Sequence, residues 1–332
     1  MGQSVKVPVF LKNVPRPWKI LAPMVSFSEE AFRILVRRYG VDVCYTEMVN
    51  CKVFNQNKAD PRKNRWYTTN DNDRPLVIQI CGNNPSEMLA TCLQIQQYCD
   101  AIDINLGCPQ NIAKKGNYGS YLMDDFEKVK NIISTLAEQL TVPIFCKIRV
   151  FESIEKTITY AKMIEKSGCS LLAVHGRTRE QKGQNTGYVS FDHIRAVKNA
   201  LSIPVVSNGG VLTHRDIKNA VEITGCDGIM IGEPILFIPS IFVDIEKPCI
   251  NIFKEYLTIV NNNIHSATNK HIKGHAFKIL KPLLNYNPKL QADIDRCRTI
   301  DDYINFIDYA LKSNSDFSNY VCKPNIRRHY LV

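Results

Sequence analysis

The stretch Pro143-Ile-Phe-Cys-Lys-Ile-Arg-Val150 decides the fold. It is a short, mostly apolar run with β-branched Ile144, Ile148 and Val150, the pattern of a strand, and Lys147 and Arg149 stand two positions apart near its end. Residues 153–167 follow with helical periodicity behind the N-cap Ser153, and residues 171–174 form the next apolar run. One such β/α/β step predicts two parallel strands, and the step recurs in both directions along the chain. Strand-like runs occupy residues 20–22, 43–49, 76–80, 101–106, 143–150, 171–174, 204–207 and 228–231. Helix-like segments lie at 28–39, 85–98, 125–139, 153–167, 191–200 and 213–223, several behind good caps such as Ser28 and Thr213. Regular alternation over residues 1–242 predicts an α/β fold, a (β/α)8 TIM barrel. A doubly wound sheet is the competitor, and the Gly-x-Gly-x-x-Gly turn it usually carries after its first strand is missing.

Beyond residue 242 the strand signals stop. Residues 252–264, 275–284 and 300–311 read as helices, with a polar connection at 261–273, which predicts a small all-α helical domain over residues 243–312. Residues 313–332 are polar and basic and read as a mobile tail.

Composition narrows the function classes. The 332 residues carry 42 Lys+Arg against 32 Asp+Glu, a formal net charge of +10, with six of the excess charges before residue 243 and four after it. A basic excess spread along the chain suits an extended polyanion such as nucleic acid. Hydrophobic content of 45% and charged content of 22% exclude a disordered or collagen-like chain. No apolar run approaches the roughly 18 residues that span a bilayer. The first residues lack a signal-peptide layout, and Lys6 stands where a myristoylation signal takes Ser or Thr. The expectation is a cytoplasmic protein, with a nuclear pool allowed, that has no membrane partner and is a monomer. The twelve cysteines contain no Cys-x-x-Cys, which argues against a zinc or iron–sulfur site, and no metal is expected. Most of the thiols read as small buried side chains.

In a barrel the C-terminal strand ends converge on one mouth. Here those ends deliver Met24, Glu47, Gln79, Asn105 with Cys108, Lys147 with Arg149, His175 with Arg177, Asn208-Gly209-Gly210, and Gly232-Glu233. Asn208-Gly209-Gly210, before a helix, suits a phosphate or an ordinary turn. Lys147 suits a Schiff base, an anionic bound cofactor or a rim ion pair. Gln79 offers donor and acceptor together, which suits the imide edge of a flavin or a pyrimidine, or a loop cap. His175 stands between structural and catalytic readings, and Arg177 and Arg179 suit a polyanionic substrate. The sharpest segment is Asp103-Ile-Asn105-Leu-Gly107-Cys108-Pro109. Gly before and Pro after Cys108 hold that thiol alone on a tight loop, where it can serve as nucleophile or general acid.

These motifs, Asn105-Leu-Gly-Cys108-Pro109-Gln110 with Ala22-Pro23-Met24, Lys147-Ile-Arg149, His175-Gly-Arg177-Thr178 and Asn208-Gly209-Gly210, closely resemble those of the tRNA-dihydrouridine synthases. The match runs from about Leu21 to Phe242, with a weaker helical match beyond. Residues 98–103, 112–119 and 177–183 look most like the eukaryotic branch acting on uridines 16 and 17 of the D loop. The resemblance implies an FMN enzyme reduced by NADPH or NADH. Hydride would pass to C6 of a flipped-out uracil in tRNA while Cys108 protonates C5. It implies Ala22, Pro23 and Met24 along the flavin ring, and Gln79 and Lys147 at its polar edge and N5. It puts His175, Asn208, Gly209, Gly210, Gly232 and Glu233 at the ribityl-phosphate end, and Asn105, Arg149 and Arg177 toward the substrate nucleotide. One departure matters: much of the family ends the last strand Gly-Arg, and here Glu233 follows Gly232, so the phosphate must lean on backbone donors or another cation. Two rival readings are a Schiff-base aldolase using Lys147, which leaves Cys108 and Gln79 unexplained, and a non-catalytic tRNA-binding or chaperone barrel.

Overall fold

Each apolar run of the sequence becomes a strand of one parallel sheet: β1 (Trp18–Leu21), β2 (Val43–Tyr45), β3 (Leu76–Cys81), β4 (Ala101–Leu106), β5 (Ile144–Arg149), β6 (Cys169–His175), β7 (Val205–Asn208) and β8 (Gly228–Ile231). The computed structural model describes residues 7–57 and 68–325. β1 pairs with β2 on one side and with β8 on the other, Leu21 facing Cys44 and Ile231, so the sheet closes without an edge. The result is a TIM barrel. The run at 43–49 does not stay in one strand: it breaks after Tyr45, and Val49–Asn50 pairs separately along the end of β3.

Alternate residues point inward and fill the barrel. Trp18, Ile20, Val43, Tyr45, Val77, Ala101, Phe145, Leu171, Ala173, Val206 and Met230 form one buried cluster. Leu11, at the end of the short 3-10 helix Val9–Leu11, joins that cluster, and the Phe10 ring lies 6.1 Å from Phe145. This closes the barrel at the end opposite the strand C-termini.

The helices α1 (Glu30–Arg37), α2 (Cys51–Gln56), α3 (Pro85–Ile95), α4 (Asn111–Lys115), α5 (Phe126–Gln139), α6 (Ile154–Lys166), α7 (Phe191–Ala200), α8 (His214–Thr224) and α9 (Glu233–Phe237) follow the strands. Ser153 accepts from the Lys156 N–H, and Thr213 with Asp216 forms a capping box, as the sequence predicts. Ser28 is different. Its hydroxyl is turned away from α1, donating to the Ala22 carbonyl at 3.2 Å and accepting the Met24 N–H at 2.8 Å. The guanidinium of Arg33, fully buried, pairs with Asp73 at 2.7 Å and donates to the Ser28 carbonyl. The short α2 and α4 had no period of their own to announce them.

After the barrel come α10 (Cys249–Asn262), α11 (Asn269–Ile279), α12 (Lys281–Tyr286), α13 (Leu290–Arg296) and α14 (Ile300–Ser313). The polar connection expected at 261–273 is already helical from Asn269, and α13 is an addition. These helices share a core with the barrel: one apolar cluster runs from Leu21, Phe32 and Ile231 through Phe253, Leu283 and Tyr303. The expectation of a mobile tail from 313 is corrected for its described part. Ser315–Asn319 forms a 3-10 turn, Phe317 is 1% exposed, and Val321 bridges to Pro248. Residues 326–332 lie outside the described residues. Among the described residues no helix is long and apolar enough to cross a membrane. Removing the Phe317 ring leaves a cavity in the shared core, so Phe317→Ala should lower the unfolding free energy by about 3–5 kcal/mol, read from denaturant titration.

Candidate active site at the barrel mouth

The stagger between strands steps the polar residues around the rim. Gln79 stands beside Asp103, Asn105 beside Lys147, Arg149 beside His175, and His175 beside Asn208. Cys108 follows β4 on a loop tied from several sides. Asn105 Oδ1 accepts the backbone N–H groups of Gly107 and Cys108 at 3.1 and 2.9 Å. The Cys108 carbonyl accepts from the N–H and hydroxyl of Ser120 at 3.1 and 3.0 Å. The Pro109 carbonyl accepts from Lys182 Nζ at 2.8 Å and the Tyr121 hydroxyl at 3.1 Å. Gly119, at φ +66°, lies so close that a Cβ there would stand 2.8 Å from the Cys108 carbonyl oxygen, so only glycine fits. Ten of the twelve cysteines are buried and Cys108 is half-exposed at the rim; among the described residues none is in a disulfide.

Behind the loop runs a buried chain of amides. Asn105 Nδ2 donates to Gln79 Oε1, and Gln79 Nε2 donates to Asp103 Oδ2, both at 2.8 Å. Each end of the Gln79 amide thus holds one partner inside the protein. Asn105 likewise spends its amide on Gln79 and the Cys108 loop. Asp103 Oδ1 is buried without a partner. Burial pushes its carboxyl up to about 7, against the pull of Gln79 and Lys147. Burial and neighbouring Arg149 push the Lys147 ammonium down to about 8, with Asp103 and Cys108 pulling the other way.

Arg149 braces two loops. Its Nε donates to the Gly107 carbonyl at 2.9 Å, and its Nη1 donates to the carbonyls of Thr178 and Gln181 at 2.6 and 3.0 Å. It thus ties the Cys108 loop to the loop after β6. Arg177 donates to the Gly187 carbonyl at 3.1 Å and lies 3.1 Å from His175 Nε2. Burial, reinforced by Lys147, Arg149 and Arg177, holds His175 well below the usual histidine range, so the ring is neutral. Arginine can only donate, so Nε2 accepts and the proton sits on Nδ1. Arg179 is held by Asp124 at 2.7 Å and Glu180 at 3.1 Å.

On the far side of the rim Asn208 Nδ2 donates to the Met230 carbonyl at 2.8 Å, which fixes the start of the turn at Gly209 and Gly210. Gly209 sits at φ +93°, and a Cβ there would meet the His175 ring at 3.0 Å. Gly232 precedes α9, which Glu233 opens. A Cβ on Gly232 would stand 3.5 Å from Ala22 and 3.8 Å from the Met24 sulfur, so Ala22-Pro23-Met24 and Gly232 meet at one edge of the mouth. The structure therefore brings Ala22, Met24, Gln79, Asn105, Cys108, Lys147, His175, Asn208, Gly209, Gly210 and Gly232 to one rim.

With the site's geometry in place, comparison with known proteins decides the family. A family model described as dihydrouridine synthase (Dus) matches residues 20–300. The chain belongs to the dihydrouridine synthase family. A Saccharomyces cerevisiae protein named tRNA-dihydrouridine(16/17) synthase [NAD(P)(+)] is 41% identical over 295 residues, covering 85% of this chain and 70% of that protein. A Schizosaccharomyces pombe protein of the same name is 39% identical over 312 residues, covering 90% and 77%. A mouse protein named tRNA-dihydrouridine(16/17) synthase [NAD(P)(+)]-like is 37% identical over 325 residues, covering 93% and 68%.

For this dihydrouridine synthase family member, the structure ties two residues into the site to which the sequence reading assigns no role there. Ser28 read as a helix cap, and nothing local reveals that its hydroxyl holds Ala22 and Met24. Asp103 had a visible signal, an acid in the middle of an otherwise apolar strand. Its raised pKa has a definite consequence. Between about pH 4, where an unfolded aspartate ionises, and pH 7, the folded state holds a proton that the unfolded state has lost. Stability attached to Asp103 is therefore full below pH 4 and falls as pH rises to about 7. Asp103→Asn should flatten that decline, and melting temperatures of both proteins from pH 4 to 8 measure it.

Proposed function

We propose that the protein reduces uridine to 5,6-dihydrouridine in the D loop of tRNA, at positions 16/17, with FMN as cofactor and NADPH or NADH as reductant. The observation that carries this reading is the pairing of Cys108, on its tied loop, with the desolvated ammonium of Lys147 at the same rim. The residues fit a flavin. Lys147 makes no hydrogen bond or ion pair to any described residue, although it is desolvated. An electron-rich ring with anionic character is the partner such a cation lacks. Ala22 and Met24 supply an apolar edge for the ring. The turn at Gly209 and Gly210, packed against the His175 ring, supplies backbone donors for a phosphate, and Glu233 supplies none.

When bound, FMN would supply the hydride chemistry that links a reduced nicotinamide to C6 of uracil. The protein's residues do the rest. Lys147 holds the cofactor's charge, and Asn105, fixed through Gln79 and Asp103, sets where the Cys108 loop stands. Cys108 delivers the proton to C5 from a rim reached only by a base taken out of its stack. Basic residues on both the barrel and the following helices provide backbone-charge complementarity to tRNA. The names of the relatives, which specify positions 16/17 and a nicotinamide, support the same reading.

The test begins with colour. Purified protein should carry a flavin spectrum or acquire one on adding FMN, and protein that does neither overturns the reading. Cys108→Ala should keep flavin and tRNA binding while uridine reduction falls about 10²–10⁴-fold, the usual worth of a positioned acid. Full turnover in that variant removes Cys108 from the proton step.

A further inference from the structure

The turn that carries Ala22-Pro23-Met24 into the mouth is not held by the barrel alone. Within it the Phe27 N–H donates to the Met24 carbonyl at 3.1 Å, and Ser28 ties Met24 to Ala22. At its tip Ser26 takes φ +65°, the left-handed region that a residue with a Cβ adopts reluctantly. A turn bent this way needs an outside restraint. The restraint is Glu47, just past β2, whose Oε2 accepts the Ser26 N–H at 2.8 Å. Its other oxygen faces Nε2 of His271, on α11, at 3.4 Å. His271 Nδ1 accepts the Thr268 N–H, so the proton is on Nε2, directed at Glu47, and the imidazole is fixed to the start of its helix.

α11 meets the same turn along a whole face. His271, Gly274, His275 and Lys278 stand at helical spacings of three and four. A Cβ on Gly274 would lie 2.9 Å from the Phe27 ring, so bare backbone is what lets that ring pack there. His275 Nε2 lies 3.0 Å from Glu29 Oε1, and its ring meets Phe27 edge-on at 5.5 Å and stacks on Phe32 at 4.2 Å. The Tyr256 hydroxyl donates to Glu29 at 2.7 Å, and Lys278 Nζ lies over Phe27 at 5.8 Å and over Phe237 at 4.8 Å.

We propose that Glu47 is a positioning residue that locks the Met24 turn into its mouth-lining shape, and that His271 makes this lock depend on the docked helices beyond the barrel. The C-terminal helices thereby help shape the seat that the barrel presents. Only the identity of what the seat receives rests on the flavin reading; the lock itself does not.

The experiment uses the full chain and three readouts: amide hydrogen exchange of residues 24–28 without cofactor, FMN affinity by fluorescence, and melting temperature. Glu47→Ala should speed exchange in the turn and weaken FMN binding about tenfold, the effect of losing one restraint worth a factor of ten in an equilibrium. Glu47→Gln keeps an oxygen for the Ser26 N–H but sets an amide N–H against the Nε2–H of His271, so it should recover most of the FMN affinity lost in Glu47→Ala while exchange of the turn stays about as fast as in His271→Ala. His271→Ala should speed exchange in the same turn without touching it. Ser26→Gly, which removes the backbone strain, should restore much of the affinity lost in Glu47→Ala, and it keeps the test decisive if that variant folds poorly. Unchanged exchange and affinity in Glu47→Ala overturn the proposal. So does equal damage from Ala and Gln with no rescue by glycine, the pattern of general destabilisation. If the parent binds no FMN, the flavin reading fails while the exchange results still decide the lock.

Discussion

Closure of the sheet through β1 is the constraint on which the rest depends. With β1 hydrogen-bonded to both β2 and β8, all eight strands must tilt and stagger in step. That stagger puts Gln79 next to Asp103, Asn105 next to Lys147, and Arg149 next to His175. No local propensity could assemble these pairs, because each comes from strands tens of residues apart. A one-residue slip in any pairing would turn one member toward the helices.

Burial then decides what the assembled groups can be. Lys147, Arg149 and His175 crowd the rim with Asp103 behind them, and the interior cannot solvate four charges. The groups answer by moving toward neutrality: Asp103 rises to about 7, Lys147 falls to about 8, and His175 falls well below its usual range. Arg149 falls only to about 10, remains charged, and answers instead by donating to three carbonyls. The mouth keeps a positive bias with few competing acceptors, a setting for an anionic or electron-rich guest.

The barrel was legible in the sequence because parallel strands are buried on both faces and read as unbroken apolar runs. Cys108 was legible because Gly107 and Pro109 exclude it from strand and helix alike. What stayed hidden depends on distance across the fold. The Ser28 hydroxyl had two local fates, and tertiary packing chose Ala22 and Met24. Gln79 and Asn105 look like free amides until the register makes them each other's partners. α2, α4 and α13 are too short to show a period. The docking of the last described residues hangs on Phe317, a single ring in a polar stretch, too little to outweigh its surroundings by composition.

The side chains of Phe10 and Leu11 at the base have a consequence for traffic. They make the barrel a cup rather than a tunnel, its interior packed and its floor sealed. Whatever reaches the rim residues must arrive and depart over the same lip.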